Sequence, residues 1–131
     1  MLDVHVIKKD SLMVGRMSGT LDANLLRESV EFVEVKEVEI ESGFHRYCDL
    51  TGLKRIQIRL DDVEALADRR RAYNPNLIRV KSAFLATNPL ALAIAELYAA
   101  LLKSPRIEVR TFHSPEKAAR WLGVEPKKLA L

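Results

Sequence analysis

Few residues of this chain are equipped for chemistry. It has three histidines, His5, His45 and His113, and a single cysteine, Cys48. No pair of histidines has metal-ligand spacing, so no metal site is expected. Cys48 lies in a strand-like run, where a cysteine acts as a small buried hydrophobe more often than as a nucleophile. His45 is three positions away, an odd spacing that puts the two on opposite faces of a strand and disfavours a Cys–His dyad. The run Asp49-Leu50-Thr51-Gly52 offers Asp49 and Thr51 as polar contacts for a small ligand or partner at the carboxyl end of a strand. A turn that Asp49 caps and Gly52 permits is the competing reading. Thr87-Asn88 precede Pro89, and Ser114 precedes Pro115, so both stand where a helix N-terminus can receive an anion. Simple capping is the favoured reading of both, because neither has a glycine-rich loop or a dedicated lysine nearby. Arg69-Arg70-Arg71, with Arg79 and Lys81 close in sequence, reads as a basic patch or as a solvated helix end beside Asp61, Asp62, Glu64 and Asp68. No nucleophile, general base and metal set is assembled, so neither an enzyme nor a cofactor is expected.

The elements that must position these residues follow an alternating rhythm. Leu2, Val4 and Val6 alternate with polar residues, and Leu12 to Met17 is a second β-type run, so the two read as a hairpin across Lys8-Lys9-Asp10-Ser11. Ser18-Gly19-Thr20 breaks the pattern, and Thr20 is expected to cap a helix carrying Leu21, Leu25, Leu26, Val30 and Val33 to about Lys36. Ser42-Gly43 ends that segment. Phe44 to Leu50 is the next strand, closed by Thr51-Gly52. Ile56 to Leu60 then leads into a helix with Asp61 in the cap role and Glu64 three residues on, ended by Asn74-Pro75-Asn76. Leu77 to Ala86 and Ile107 to Phe112 are apolar strand-like runs. Each meets an Asn or Ser followed by Pro and turns into a helix, the first to Leu102 and the second to Leu122 before Gly123. Strand and capped helix in this alternation predict an α/β fold with a largely parallel sheet.

The chain has 131 residues, 48% of them hydrophobic and 30% charged, with a net charge of +3. That suits one domain, read as residues 1–124 with a mobile tail at 125–131. Acids and bases are interleaved, so no specific nucleic-acid partner is expected. One cysteine excludes an intramolecular disulfide and fits a reducing compartment. The N-terminus lacks the features of a signal peptide. The uninterrupted helical stretch Leu90 to Leu102 is shorter than the ~20 residues a membrane span needs. A cytoplasmic location is expected.

The chain resembles the STAS/SpoIIAA-like group of small α/β proteins, related in fold to bacterial anti-sigma-factor antagonists. Three stretches carry the resemblance: Val14-Gly15-Arg16-Met17-Ser18-Gly19-Thr20, then Tyr47-Cys48-Asp49-Leu50-Thr51-Gly52, then Glu108 to Phe112 followed by Glu116 to Leu122 with its Trp121-Leu122 end. It implies one mixed, mostly parallel sheet of about five strands, opened by the hairpin, with about four helices. In the antagonists a phosphorylatable serine starts the helix after the central strand. Ile56 to Asp62 contains no Ser or Thr here, so that switch is not carried over. Function is expected to lie in the helix Leu90 to Leu102, apolar nearly all round. Leu90, Ile94, Leu97, Tyr98 and Leu101 are its candidate interface. They point to a non-catalytic regulatory or interaction domain that forms a homodimer or binds another protein. The alternative is a binder or carrier of a small apolar or lipid ligand in a pocket beside helix 89–103.

Overall fold

The computed structural model describes residues 1–73 and 78–130. The strands are β1 (Leu2–Ile7), β2 (Leu12–Asp22), β3 (His45–Gln57), β4 (Val80–Leu85) and β5 (Ile107–Phe112). The helices are α1 (Ala23–Glu39), α2 (Leu60–Ala72), α3 (Pro89–Leu102) and α4 (Pro115–Leu122). One mixed sheet has the order β1-β2-β3-β4-β5, with β1 antiparallel to β2 and every later pair parallel. The hairpin and the α/β class expected from sequence are both present.

Because each parallel strand adds to the same growing edge, right-handed crossovers lay α1, α2 and α3 on one face of the sheet. Strand alternation sends Met13, Gly15, Met17, Arg46, Cys48, Ser82 and Phe84 toward those helices. Leu12, Val14, Tyr47, Ala83 and Leu85 point the other way and form a second core with Ala118, Ala119 and Leu122 of α4. The segment expected as a tail makes a 3-10 turn at Pro126–Leu129 and buries Leu129 in that same core.

The helix caps behave as their residue types dictate. Asn88 Oδ1 accepts from the Leu90 and Ala91 amides at 2.8 and 3.4 Å, and Ser114 Oγ accepts from the Lys117 amide at 3.2 Å. Proline follows each at the first helical position, and Gly123 closes α4 in the left-handed region.

Four local expectations are corrected. Ser18-Gly19-Thr20 does not end β2, and Thr20 is not a cap. The strand continues to Asp22, whose Oδ1 accepts from the Leu25 amide at 2.9 Å. Gly19, at φ +77°, sits among register shifts against β3, where its missing side chain absorbs an irregularity instead of stopping the strand. Thr51-Gly52 likewise does not end β3. A Cβ on Gly52 would stand 2.9 Å from the Met17 carbonyl, so this glycine serves a close strand–strand approach. Helix α1 runs past Lys36 to Glu39, with Gly43 beyond it. Asp61 is not the cap of α2: Arg59 holds that position, and Asp62 Oδ2 accepts from its amide at 2.8 Å. The Asn74-Pro75-Asn76 stop and the strand start at Leu77 lie outside the described residues.

Candidate functional site

The layer between the sheet and α1–α3 is where the polar chemistry gathers. On α1, Leu26, Val30, Val33 and Glu37 recur at helical spacing, so the stripe that buries Val30 carries Glu37 inward with it. On α2, Val63, Ala67 and Arg70 share the buried face. On β3, Arg46 alternates with Tyr47 and shares the face of Cys48 and Leu50. Three charged side chains thereby converge, Arg46 at 7% exposure, Arg70 at 3% and Glu37 at 7%.

Arg70 holds Glu37 by two bonds, Nη1 to Oε1 at 2.8 Å and Nη2 to Oε2 at 2.7 Å. Arg46 reaches the same carboxylate through one bond, Nη2 to Oε2 at 3.1 Å. Farther out, Arg69 pairs with Glu34 at 2.6 Å, and Arg70 Nη1 touches Glu34 at 3.4 Å. Burial works against both inner cations. For Arg70 the Glu37 hydrogen bonds and charge outweigh it, so its pKa is raised. For Arg46 burial prevails and its pKa is lowered, with Arg70 adding to the fall and Glu37 opposing it. The Arg46 guanidinium lies 4.5 Å from the Phe44 ring centroid, and its Nε has no hydrogen-bond partner among the described residues.

Beside this cluster is a cavity of about 100 Å³. Val30, Phe32 and Val33 of α1, Leu66 of α2, Met13 and Met17 of β2 and Phe84 of β4 supply most of its wall. Arg46, Arg70, Ser29, Ser82, Cys48 and Tyr98 supply the polar part. The Tyr98 ring meets Phe84 edge-on at 6.1 Å. Burial pushes the Cys48 thiol up to about 12, with Asp49 adding to it, so this cysteine is a neutral wall residue. A groove of about 160 Å³ between α1 and α2 shares Val30 and Leu66 with the cavity, which makes these two a common wall.

The residues singled out from sequence fare differently. Asp49 Oδ1 accepts from the Thr51 amide at 2.8 Å and the Thr51 hydroxyl at 2.6 Å, so the two are engaged with each other. Thr87 is exposed, and Asn88 is occupied in capping α3. Asp49 pairs with Leu85 where the β3–β4 ladder stops, so both pairs of residues lie at the same end of that ladder. None of the four lines the cavity. Of the helix residues, Leu90 is 54% exposed while Ile94, Leu97, Tyr98 and Leu101 are half-buried, and Tyr98 faces the cavity. The arginine triplet is dispersed: Arg69 to Glu34, Arg70 inward, and Arg71 to Asp68 and the Leu101 carbonyl. Among the described residues no group of His, Cys, Asp and Glu has metal-holding geometry, and no helix is long and apolar enough to cross a membrane. The buried charges were missed, although Glu37 and Arg70 stand at stripe positions in the sequence itself.

No protein-family profile matches the chain, and no curated protein matches it. Among solved structures it is similar to an uncharacterised protein of the DUF3478 family with a SpoIIAA-like fold from Shewanella loihica PV-4. The two superpose with a TM-score of 0.60 over 93% of this chain and 92% of the other, at 14% sequence identity. The fold is SpoIIAA-like. In this SpoIIAA-like chain the helix after β3 opens with Leu60-Asp61-Asp62-Val63, without a hydroxyl residue.

Proposed function

We propose that this chain is a non-catalytic binding domain whose ligand site is the cavity between the sheet and α1–α3. The observation that carries the reading is a largely apolar void of about 100 Å³ with a few convergent polar groups on its wall. An engineered cavity of about 150 Å³ admits benzene, so this one suits a ligand of about four to six non-hydrogen atoms. The acidic first turn of α2 supports a role that does not run through phosphorylation of that turn.

Xenon and isobutyramide are suitable neutral probes, followed by NMR shifts of residues lining the cavity. Saturable shifts confined to those residues are the expected result. Gly15 lies on the cavity wall, and a Cβ there meets nothing nearer than 3.8 Å, so Gly15→Val should fill the space and abolish the shifts while the protein stays folded. Probes that shift nothing in the wild type would end this reading.

A second reading rests on the stripe Leu90, Ile94, Leu97 and Leu101, which retains exposure along one side of α3. It would support a homodimer or a contact with another protein. Light scattering across a wide concentration range tests it, and a monomer throughout would remove it.

A further inference from the structure

Resting on the cavity reading, we infer that its ligand is a small monocarboxylate, its anionic head on Arg46 and its apolar body against Val30, Val33 and Phe84.

The charges that face the cavity set the sign of its guest. Arg46 and Arg70 line it, whereas Glu37 and Glu34 do not. A guest therefore meets two cations and no anion of the cluster. The pairing is also uneven. Glu34 serves Arg69 and, at 3.4 Å, Arg70, and Glu37 is held by the two-pronged grip of Arg70, which leaves Arg46 with one shared oxygen. Three arginines thus share two carboxylates, and Arg46 has the smallest share. A buried cation in that position is costly unless another group completes its shell. Arg46 Nε, on a residue 7% exposed, is the atom that lacks a partner.

The rest of the wall fits the same guest. Ser82 and Tyr98 bring hydroxyl groups, and the Cys48 thiol and Tyr98 phenol are both held neutral by burial, so neither repels an anion. On another side Arg46 borders a void of about 10 Å³, at the limit for a single water and too small for an anion. Only the larger cavity has room. Its size suits a short branched or cyclic carboxylate.

Isobutyrate and its neutral isostere isobutyramide separate charge from shape. Calorimetric or NMR titrations at constant ionic strength should show isobutyrate binding at least about tenfold more tightly than the amide, as a charge-assisted bond replaces a neutral one. In Arg46→Met the preference should vanish while xenon still enters. Arg46→Lys should keep part of it. If the two ligands bind equally to the wild type, the cavity reading stands and the carboxylate assignment falls. If xenon enters but neither organic probe binds, the carboxylate assignment falls as well. If nothing enters, both are lost. Should Arg46→Met fail to fold, the wild-type ratio alone decides. A high-resolution structure showing only water on Arg46 Nε at saturating isobutyrate would overturn the inference.

Discussion

The two faces of the sheet are built by opposite strategies. On the α4 face Leu12, Val14, Tyr47, Ala118, Ala119 and Leu122 close without a charged side chain among them. Ala118 and Ala119, both at 0% exposure, let the helix settle directly on the strands. Lys81 stays at the margin, where its Nζ donates to the Trp121 carbonyl at 2.8 Å and lies over the indole ring. The opposite face carries three helices yet leaves a cavity and buries Arg46, Arg70 and Glu37. The reason is geometric. Helix α2 packs closely on α3 and lightly on α1, so the space beneath the α1–α2 seam is spanned by long polar side chains instead of being filled by apolar ones. One face is a core, and the other is a core with a vestibule in it.

The largest expected effect would come from breaking the charged half of this contrast. Glu37→Gln leaves Arg46 and Arg70 buried with no full counter-charge between them. Removing one partner of a buried ion pair costs about 3–5 kcal/mol, a large share of an ordinary domain's stability. Chemical denaturation should show that loss, and a change under about 1 kcal/mol would mean that the cluster is hydrated and contributes little.

A smaller effect distinguishes filled space from empty space. Ala118→Leu forces a larger side chain into the closed α4 face and should destabilise by about 1–3 kcal/mol. Gly15→Val adds bulk on the cavity face and should change stability by less than about 1 kcal/mol in either direction. Equal penalties in thermal melts would show that the two faces are packed alike.

The helix caps should not respect the contrast at all. Asn88→Ala on α3 and Ser114→Ala on α4 each remove a side-chain acceptor from a helix N-terminus. Each should cost about 1 kcal/mol, because capping is local. A penalty several times larger at Asn88 would mean that α3 depends on its cap to hold the cavity open.

How much of this was legible in the sequence depended on how local its cause was. The Asn88-Pro89 and Ser114-Pro115 starts and the Gly123 stop are set within a turn of chain, and the structure keeps all three. Gly19 and Gly52 carry equally strong local signals that point the wrong way. Their role is to let β2 and β3 run together to Asp22 and Gln57, which only the partner strand can dictate. The ion cluster joins Glu37 to Arg46 nine positions away and to Arg70 thirty-three positions away. No window of sequence contains it. A hint was still present, since Glu37 and Arg70 continue apolar stripes where a solvated charge does not belong. The cavity leaves no such mark, because an unfilled space has no residue of its own.

The smallest effect concerns the margin between the faces. His45, the first residue of β3, accepts the Lys81 amide on Nδ1 at 2.9 Å, adding a side-chain rung where the β3–β4 ladder begins. Burial lowers its pKa from 6.5, and the charges of Lys81 and Arg46 lower it further. Arg79, Arg106 and Glu108 line the same depression, with cations in the majority. A histidine depressed in the folded state binds its proton more readily when unfolded. Stability therefore falls as pH drops through 6.5 toward the folded value, and is regained above it. Protonation of the folded state removes the Nδ1 acceptor, so the Lys81 rung is lost only as pH reaches the lowered folded value. Melting temperatures followed from about pH 7 to about pH 5.5 should slope downward in the wild type and more gently in His45→Gln. Identical slopes would place the titrating group elsewhere and leave His45 a neutral spacer at the edge of the sheet.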